Sequence, residues 1–211
     1  RLHVKKKAKE FYQKYLSNPT RESLVYAYAL ANSEENASGN IVVTAPTCGS
    51  CAVVSAVLLS FQKNNNVSDE KIIEALMVAG IIGNIVKTNA SISGAEVGCQ
   101  GEIGVACSMA SAALTYLENG DNYDIEYAGE VALEHHLGMT CDPVDGMVQI
   151  PCIERNAVAA MQAYNVASYV KLAGHNHNIT LDSVIQVMNE TGKDMHTKYR
   201  ETSTGGLAIH K

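Results

Sequence analysis

Ile72-Ile-Glu-Ala-Leu-Met-Val-Ala-Gly-Ile-Ile-Gly-Asn-Ile-Val86 is the stretch on which the fold turns. It is too long for an ordinary strand, and only Glu74 and Asn84 break its apolar character. The segment therefore reads as a helix that is apolar nearly all round and lies in the middle of the domain, the central helix. Ser68 is a good N-cap just upstream, and Asp69 and Glu70 in the first turn favour the positive end of the helix dipole. Moving outward, apolar positions recur at helical spacing over Val4 to Leu16, Glu22 to Ala31 and Cys51 to Gln62, with a break and cap at Pro19-Thr20. Downstream the same spacing covers Val105 to Leu117, Ile125 to His136 and Glu154 to Leu172, and Thr180 caps a last helix running to about Tyr199. Ile41 to Pro46 reads as either a brief strand or an extended connector. The expectation is an all-α fold, one helical domain over residues 1–211, with its functional loops at helix ends.

Composition narrows the class. The chain has 211 residues, 46% apolar and 18% charged, with a formal charge of −6. That is an ordinary globule, and the acidic balance argues against a nucleic-acid surface. The run Lys5-Lys6-Lys7 is short enough to be a solvated helix face. No signal peptide or membrane-spanning run is read in the sequence, so the six cysteines are expected as reduced thiols in a cytoplasmic protein. Because the chain opens on Arg1, it reads as a fragment or processed product.

Three of the cysteines sit in turn-forming frames that open onto helical sequence. These are Cys99 in Gly-Cys-Gln-Gly-Glu102, Cys141 in Thr-Cys-Asp-Pro-Val-Asp-Gly146, and Cys152 in Ile-Pro-Cys-Ile-Glu-Arg-Asn156. Gly98 and Gly101 allow close backbone approach to a bulky ligand, while Pro143 and Pro151 stiffen the other two loops. Such loops suit a shared metal centre, with an iron-sulfur enzyme as the leading reading. Three protein thiolates would leave one metal position open for Lewis-acid chemistry. A structural or electron-transfer iron-sulfur or zinc module is the competing reading, needing a fourth ligand from Cys48, Cys51 or Cys107. Cys107, on a small-residue helix, reads as a core thiol. Cys48-Gly-Ser-Cys51 is a C-x-x-C without the alternating strands and helices of a thioredoxin-like fold.

Longer motifs surround these frames. Asn89 to Glu102, Gly138 to Gly146, Val148 to Asn156, Thr44-Ala-Pro-Thr47 and the tail Arg200 to Ala208 closely resemble the α domain of the iron-sulfur L-serine dehydratases. The resemblance runs over nearly the whole chain after residue 40. It implies a [4Fe-4S] cluster on Cys99, Cys141 and Cys152, and deamination of L-serine to pyruvate and ammonia without pyridoxal phosphate. It also implies a β domain, fused or separate, which this chain does not contain and which could carry the general base, and a homo- or hetero-oligomer. Threonine or cysteine as substrate is the alternative on the same scaffold. Substrate carboxylate and amine would be oriented by backbone N–H groups of Thr47, Cys48 and Gly49 at a helix N-terminus. Lys87, the one cation of the apolar, glycine-rich region, is the candidate catalytic residue, either pairing with the carboxylate or tuning a base. Glu96, Glu102 and Asp142 are expected to hold loop backbone or Arg155, and at most one of His135 and His136 faces the centre. Two departures stand out: Cys48 where related chains often have Asn, and a tail that stops at Lys211 where related chains continue to a further cysteine.

Overall fold

The computed structural model describes residues 2–175 and 177–210. Among these residues the regular structure is entirely helical: α1 (Ala8–Ser17), α2 (Arg21–Ala37), α3 (Val53–Asn65), α4 (Asp69–Asn89), α5 (Gly94–Val97), α6 (Val105–Leu117), α7 (Asn122–Glu134), α8 (Cys152–Ala173) and α9 (Leu181–Asp194). The one β-type pairing is an isolated parallel bridge between Cys141 and Arg200. Sequence caps do what their chemistry dictates: Thr20 accepts from Ser23 N, Ser68 from Lys71 N and Thr180 from Ser183 N. At α1 the cap comes from elsewhere, since buried Glu34 accepts from the backbone N–H of Lys7 and Ala8.

The central helix is α6, not α4. Every residue of α6 except Tyr116 is buried. Its run of alanines and serines lets α3, α4, α7 and α8 pack around it. The two serines on this helix are internally satisfied, Ser108 by Gly129 O at 2.7 Å and Ser111 by Cys107 O at 2.7 Å. By contrast α4 buries only Ala75, Ala79, Ile82, Gly83 and Val86. Ile73, Met77 and Ile81, each 57–58% exposed, face outward. The expectation of a central α4 fails because uniform hydrophobicity gives a helix no preferred side. The small residues set the buried side: a Cβ on Gly83 would stand 2.9 Å from Met109 Sδ on α6. Among the described residues α4 is also the one helix with the length and composition of a membrane span, with a mean hydropathy of 1.4 over its window.

Residues 41–46 are the extended connector, one of the two readings of that stretch, with Ile41 fully exposed. One other element differs from the sequence reading. The last helix stops at Asp194 and not near Tyr199. A 3-10 turn, Thr197–Tyr199, follows, and Tyr199 O is then free to accept from Cys141 N at 2.8 Å. The tail is diverted by tertiary pairing with a cysteine loop.

Candidate metal centre

Three segments distant in sequence meet at one end of α6. Cys99 precedes a π-helical turn, Gln100–Gly104, which feeds directly into α6. Gly98 enters it at φ +77°, and a Cβ there would lie 2.7 Å from Met139 O, so the Cys99 turn can touch the Cys141 loop only through glycine. Gln100, fully buried, stitches the two together. Its Oε1 accepts from Gly138 N at 2.9 Å, and its Nε2 donates to Val97 O at 2.8 Å and to Met188 O of α9 at 3.2 Å. Cys141 is held from the other side by the tail, donating its N–H to Tyr199 O and accepting from Glu201 N at 2.6 Å. Asp142 Oδ2 accepts from Leu207 N at 2.6 Å, which explains the role of the tail motif. Cys152 begins α8.

The ligating atoms of Cys99, Glu102 and Cys141 all lie within 4.8 Å of one another. Cys152 stands outside that trio but within its field: burial, then the Cys99 thiolate, push its thiol up to about 12, opposed by Arg155. Cys99 and Cys141 shift one another in opposite directions. A hydrogen bond from Cys141 lowers the Cys99 thiol, helped by the Arg155 guanidinium, while the same bond, followed by burial, raises Cys141. Glu102 is held above the usual carboxylate range by burial, against a hydrogen bond donated by Thr47 Oγ1 at 2.7 Å.

Space for this cluster comes from two glycines. A Cβ on Gly94 would meet Cys141 Sγ at 2.9 Å and Glu102 Oε2 at 3.1 Å, and one on Gly49 would meet Glu102 Oε2 at 2.5 Å. Thr47, Cys48 and Gly49 therefore surround the carboxylate end of the site. Asn156, 1% exposed, fixes them there by donating to Gly49 O at 2.7 Å and Cys152 O at 2.9 Å and accepting from Ala52 N at 3.0 Å. The backbone N–H groups of Cys48 and Gly49 make no hydrogen bond among the described residues.

The other candidates lie apart. Lys87 is exposed on the last turn of α4 and makes no hydrogen bond or ion pair among the described residues. Cys107 is sealed in the core, its thiol 3.4 Å from Ala159 O and pushed up to about 12 by burial. Cys51 is buried and raised to about 11, while Cys48 is exposed. His136 is buried with Nδ1 2.6 Å from Ala132 O, and His135 is exposed beside Glu134. Glu96 accepts a hydrogen bond from Ser91 Oγ. Sequence reasoning gave Glu102 a backbone role; its i,i+3 spacing from Cys99 was the signal that both belong to one side of a helical turn. Asn156 and Gly94 carried no such signal.

A buried set of thiols with an adjoining carboxylate, a nearby cation and glycines that clear the space is a donor set that could hold a metal ion. The family model for the serine dehydratase alpha chain matches residues 1–208, and the chain belongs to that family. It is 57% identical over 183 residues to the L-serine dehydratase TdcG of Escherichia coli, covering 86% of this chain and 40% of that protein. It is 55% identical to an L-serine dehydratase of Haemophilus influenzae, covering 88% and 41%. Against the L-serine dehydratase of Mycobacterium tuberculosis it is 49% identical over 219 residues, covering 99% of this chain and 48% of that one. The chain thus spans less than half the length of these relatives.

Proposed function

We propose that this chain is the iron-sulfur-bearing part of an L-serine dehydratase, forming pyruvate and ammonia from L-serine in the cytoplasm. The observation that carries the reading is the convergence of Cys99, Cys141 and Glu102, with Cys152 in their field, inside a chain of this family. The residues fit a [4Fe-4S] cluster by donor chemistry and by space: the thiols are soft anionic ligands, and Gly94 lets Cys141 Sγ and the Glu102 carboxylate approach where a side chain would crowd them. Cys99, Cys141 and Cys152 would hold it. When bound, it supplies a Lewis acid for the β-hydroxyl of serine.

The chain's own residues do the rest. Glu102, anchored by Thr47 Oγ1, is the carboxylate placed to take the α-proton on Oε2. The N–H groups of Cys48 and Gly49 orient the substrate carboxylate, held in place by Asn156. Loss of the α-proton and the β-hydroxyl as water leaves aminoacrylate, which tautomerises to the imine and hydrolyses to pyruvate and ammonia. The burial of Cys99, Cys141 and Cys152 limits the access of bulk water to this step. The greater length of the relatives supports a β domain or subunit as partner, and fully exposed Ile41 and 89% exposed Val43, on the connector leading to Thr47, suit a covering surface. The test is anaerobic loading with iron and sulfide, then pyruvate formation from L-serine, L-threonine and L-cysteine with the β portion supplied. Iron uptake without turnover of any of them would leave a cluster carrier and remove the enzymatic reading.

A further inference from the structure

Arg155 brings a cation into a cluster of acids. It lies one turn into α8 beyond Cys152, and helical side chains lean toward the N-terminus of their helix, so the guanidinium reaches back over its own cysteine. Nη1 donates to Thr140 O at 3.1 Å, the carbonyl immediately before Cys141. Cys99, Cys152 and Asp142 lie in the field of the guanidinium. It closes no salt bridge with Asp142, whose oxygens are engaged by Leu207 N and Thr140 Oγ1. Its donors are therefore free for sulfur.

We propose that Arg155 is a positioning residue of the metal centre: one guanidinium ties the three cysteine segments into a single frame and donates N–H to the Cys99 thiolate. The proposal rests on the reading that these cysteines hold iron. Its physical basis is general. Metal binding deprotonates the thiols, and several anions in a buried site repel one another unless a cation stands among them. An N–H bonded to a ligand sulfur draws electron density from it, which raises the reduction potential and steadies the metal. A planar fork can serve Thr140 O and Cys99 Sγ together, whereas a lysine ammonium is a point charge on a flexible stem. Arg155→Lys therefore keeps the charge and loses the bridge.

The experiment uses the whole chain loaded under argon with ferrous iron and sulfide. Iron release to a chelator and the midpoint potential are measured for wild type, Arg155→Lys and Arg155→Gln, with circular dichroism of each unloaded protein. Arg155→Gln is expected to keep its helical spectrum, release iron about 10- to 100-fold faster and show a more negative potential. Arg155→Lys should fall between, with faster release and a smaller change in potential. If Arg155→Gln loses its helical spectrum, Arg155→Lys decides. Release and potential equal to wild type in a folded variant overturn the role of Arg155 while leaving the cysteine centre standing. A wild-type chain that takes up no iron overturns both, so the two failures are told apart.

Discussion

Thr47 Oγ1 donates a 2.7 Å hydrogen bond to Glu102 Oε1 across 55 positions of sequence, joining the turn before α3 to the turn before α6. The bond favours the ionised carboxylate while burial opposes it, and burial wins. A base must be ionised to accept a proton, so turnover should fall as pH drops through a pKa above the usual carboxylate range. Removing the Thr47 donor leaves only the Arg155 charge to oppose burial, and Thr47→Ala should shift that acid limb to higher pH. Glu102→Gln should lower kcat by about 10²- to 10⁴-fold with the iron content retained. Rate profiles of the assembled dehydratase check this, and an unmoved limb in Thr47→Ala would separate Glu102 from proton transfer.

The cysteines divide by surroundings. Cys99→Ser, Cys141→Ser and Cys152→Ser should each lose iron on gel filtration, because a serine hydroxyl is a poor anionic ligand at neutral pH. Cys107→Ser should retain it, since that thiol touches only Ala159 O and Ser111 within the core. Iron analysis of the four variants is sufficient. Equal loss from Cys107→Ser would move the ligand set.

The two faces of α4 give a stability test. Ile81 is 58% exposed and Ile82 5%. Ile82→Ala should cost about 2–5 kcal/mol through lost burial and a cavity against α6, while Ile81→Ala should stay within about 0.5 kcal/mol. Urea unfolding of the isolated chain measures both. The reverse order would return α4 to the middle of the domain.

A pH effect on stability arises away from the centre. Glu130, 2% exposed, is raised from 4.5 to about 7 by burial, then by the Glu134 and Glu126 charges, with His177 Nδ1 4.0 Å away. Its folded pKa exceeds the unfolded one, so the folded state holds the proton more tightly. Its contribution is favourable at low pH and is lost as pH rises from about 4.5 to about 7. Glu130→Gln should therefore raise Tm at pH 8 and change it little at pH 4.5, which thermal scans at the two values will show.

Much of the fold was legible because helices announce themselves through caps and periodicity. Ser68, Thr20 and Thr180 cap the helices they were expected to cap, and α6 has the bounds its apolar run implied. Periodicity failed where it carried no contrast: α4 is apolar on both sides, and only Gly83 against Met109 reveals which side is inner. The end of α9 was hidden because the Cys141 pairing that diverts the tail is a long-range contact. At the site, the cysteines and the Thr47 turn were visible as motifs and Glu102 by its i,i+3 spacing from Cys99, whereas the burial of Glu102 and the reach of Arg155 to Thr140 O depend on tertiary contacts that local spacing does not carry.

The last prediction concerns Gly94. Its φ is not in the left-handed region, so backbone strain is no obstacle to alanine; space is. A methyl group there would stand 2.9 Å from Cys141 Sγ, closer than real contacts allow, and 3.1 Å from Glu102 Oε2, a tight contact. Both side-chain ends can swing aside, so Gly94→Ala should unfold within about 1 kcal/mol of wild type. The displaced sulfur and carboxylate then no longer meet one centre, and a misplacement of this size costs on the order of 10²-fold in rate. Gly94→Ala should thus fold normally, take up less iron and lose turnover, whereas Gly80→Ala, on open α4 surface with nothing within 4 Å, should leave all three intact. Full iron loading in Gly94→Ala would show that the space beside Cys141 is not the seat of the metal.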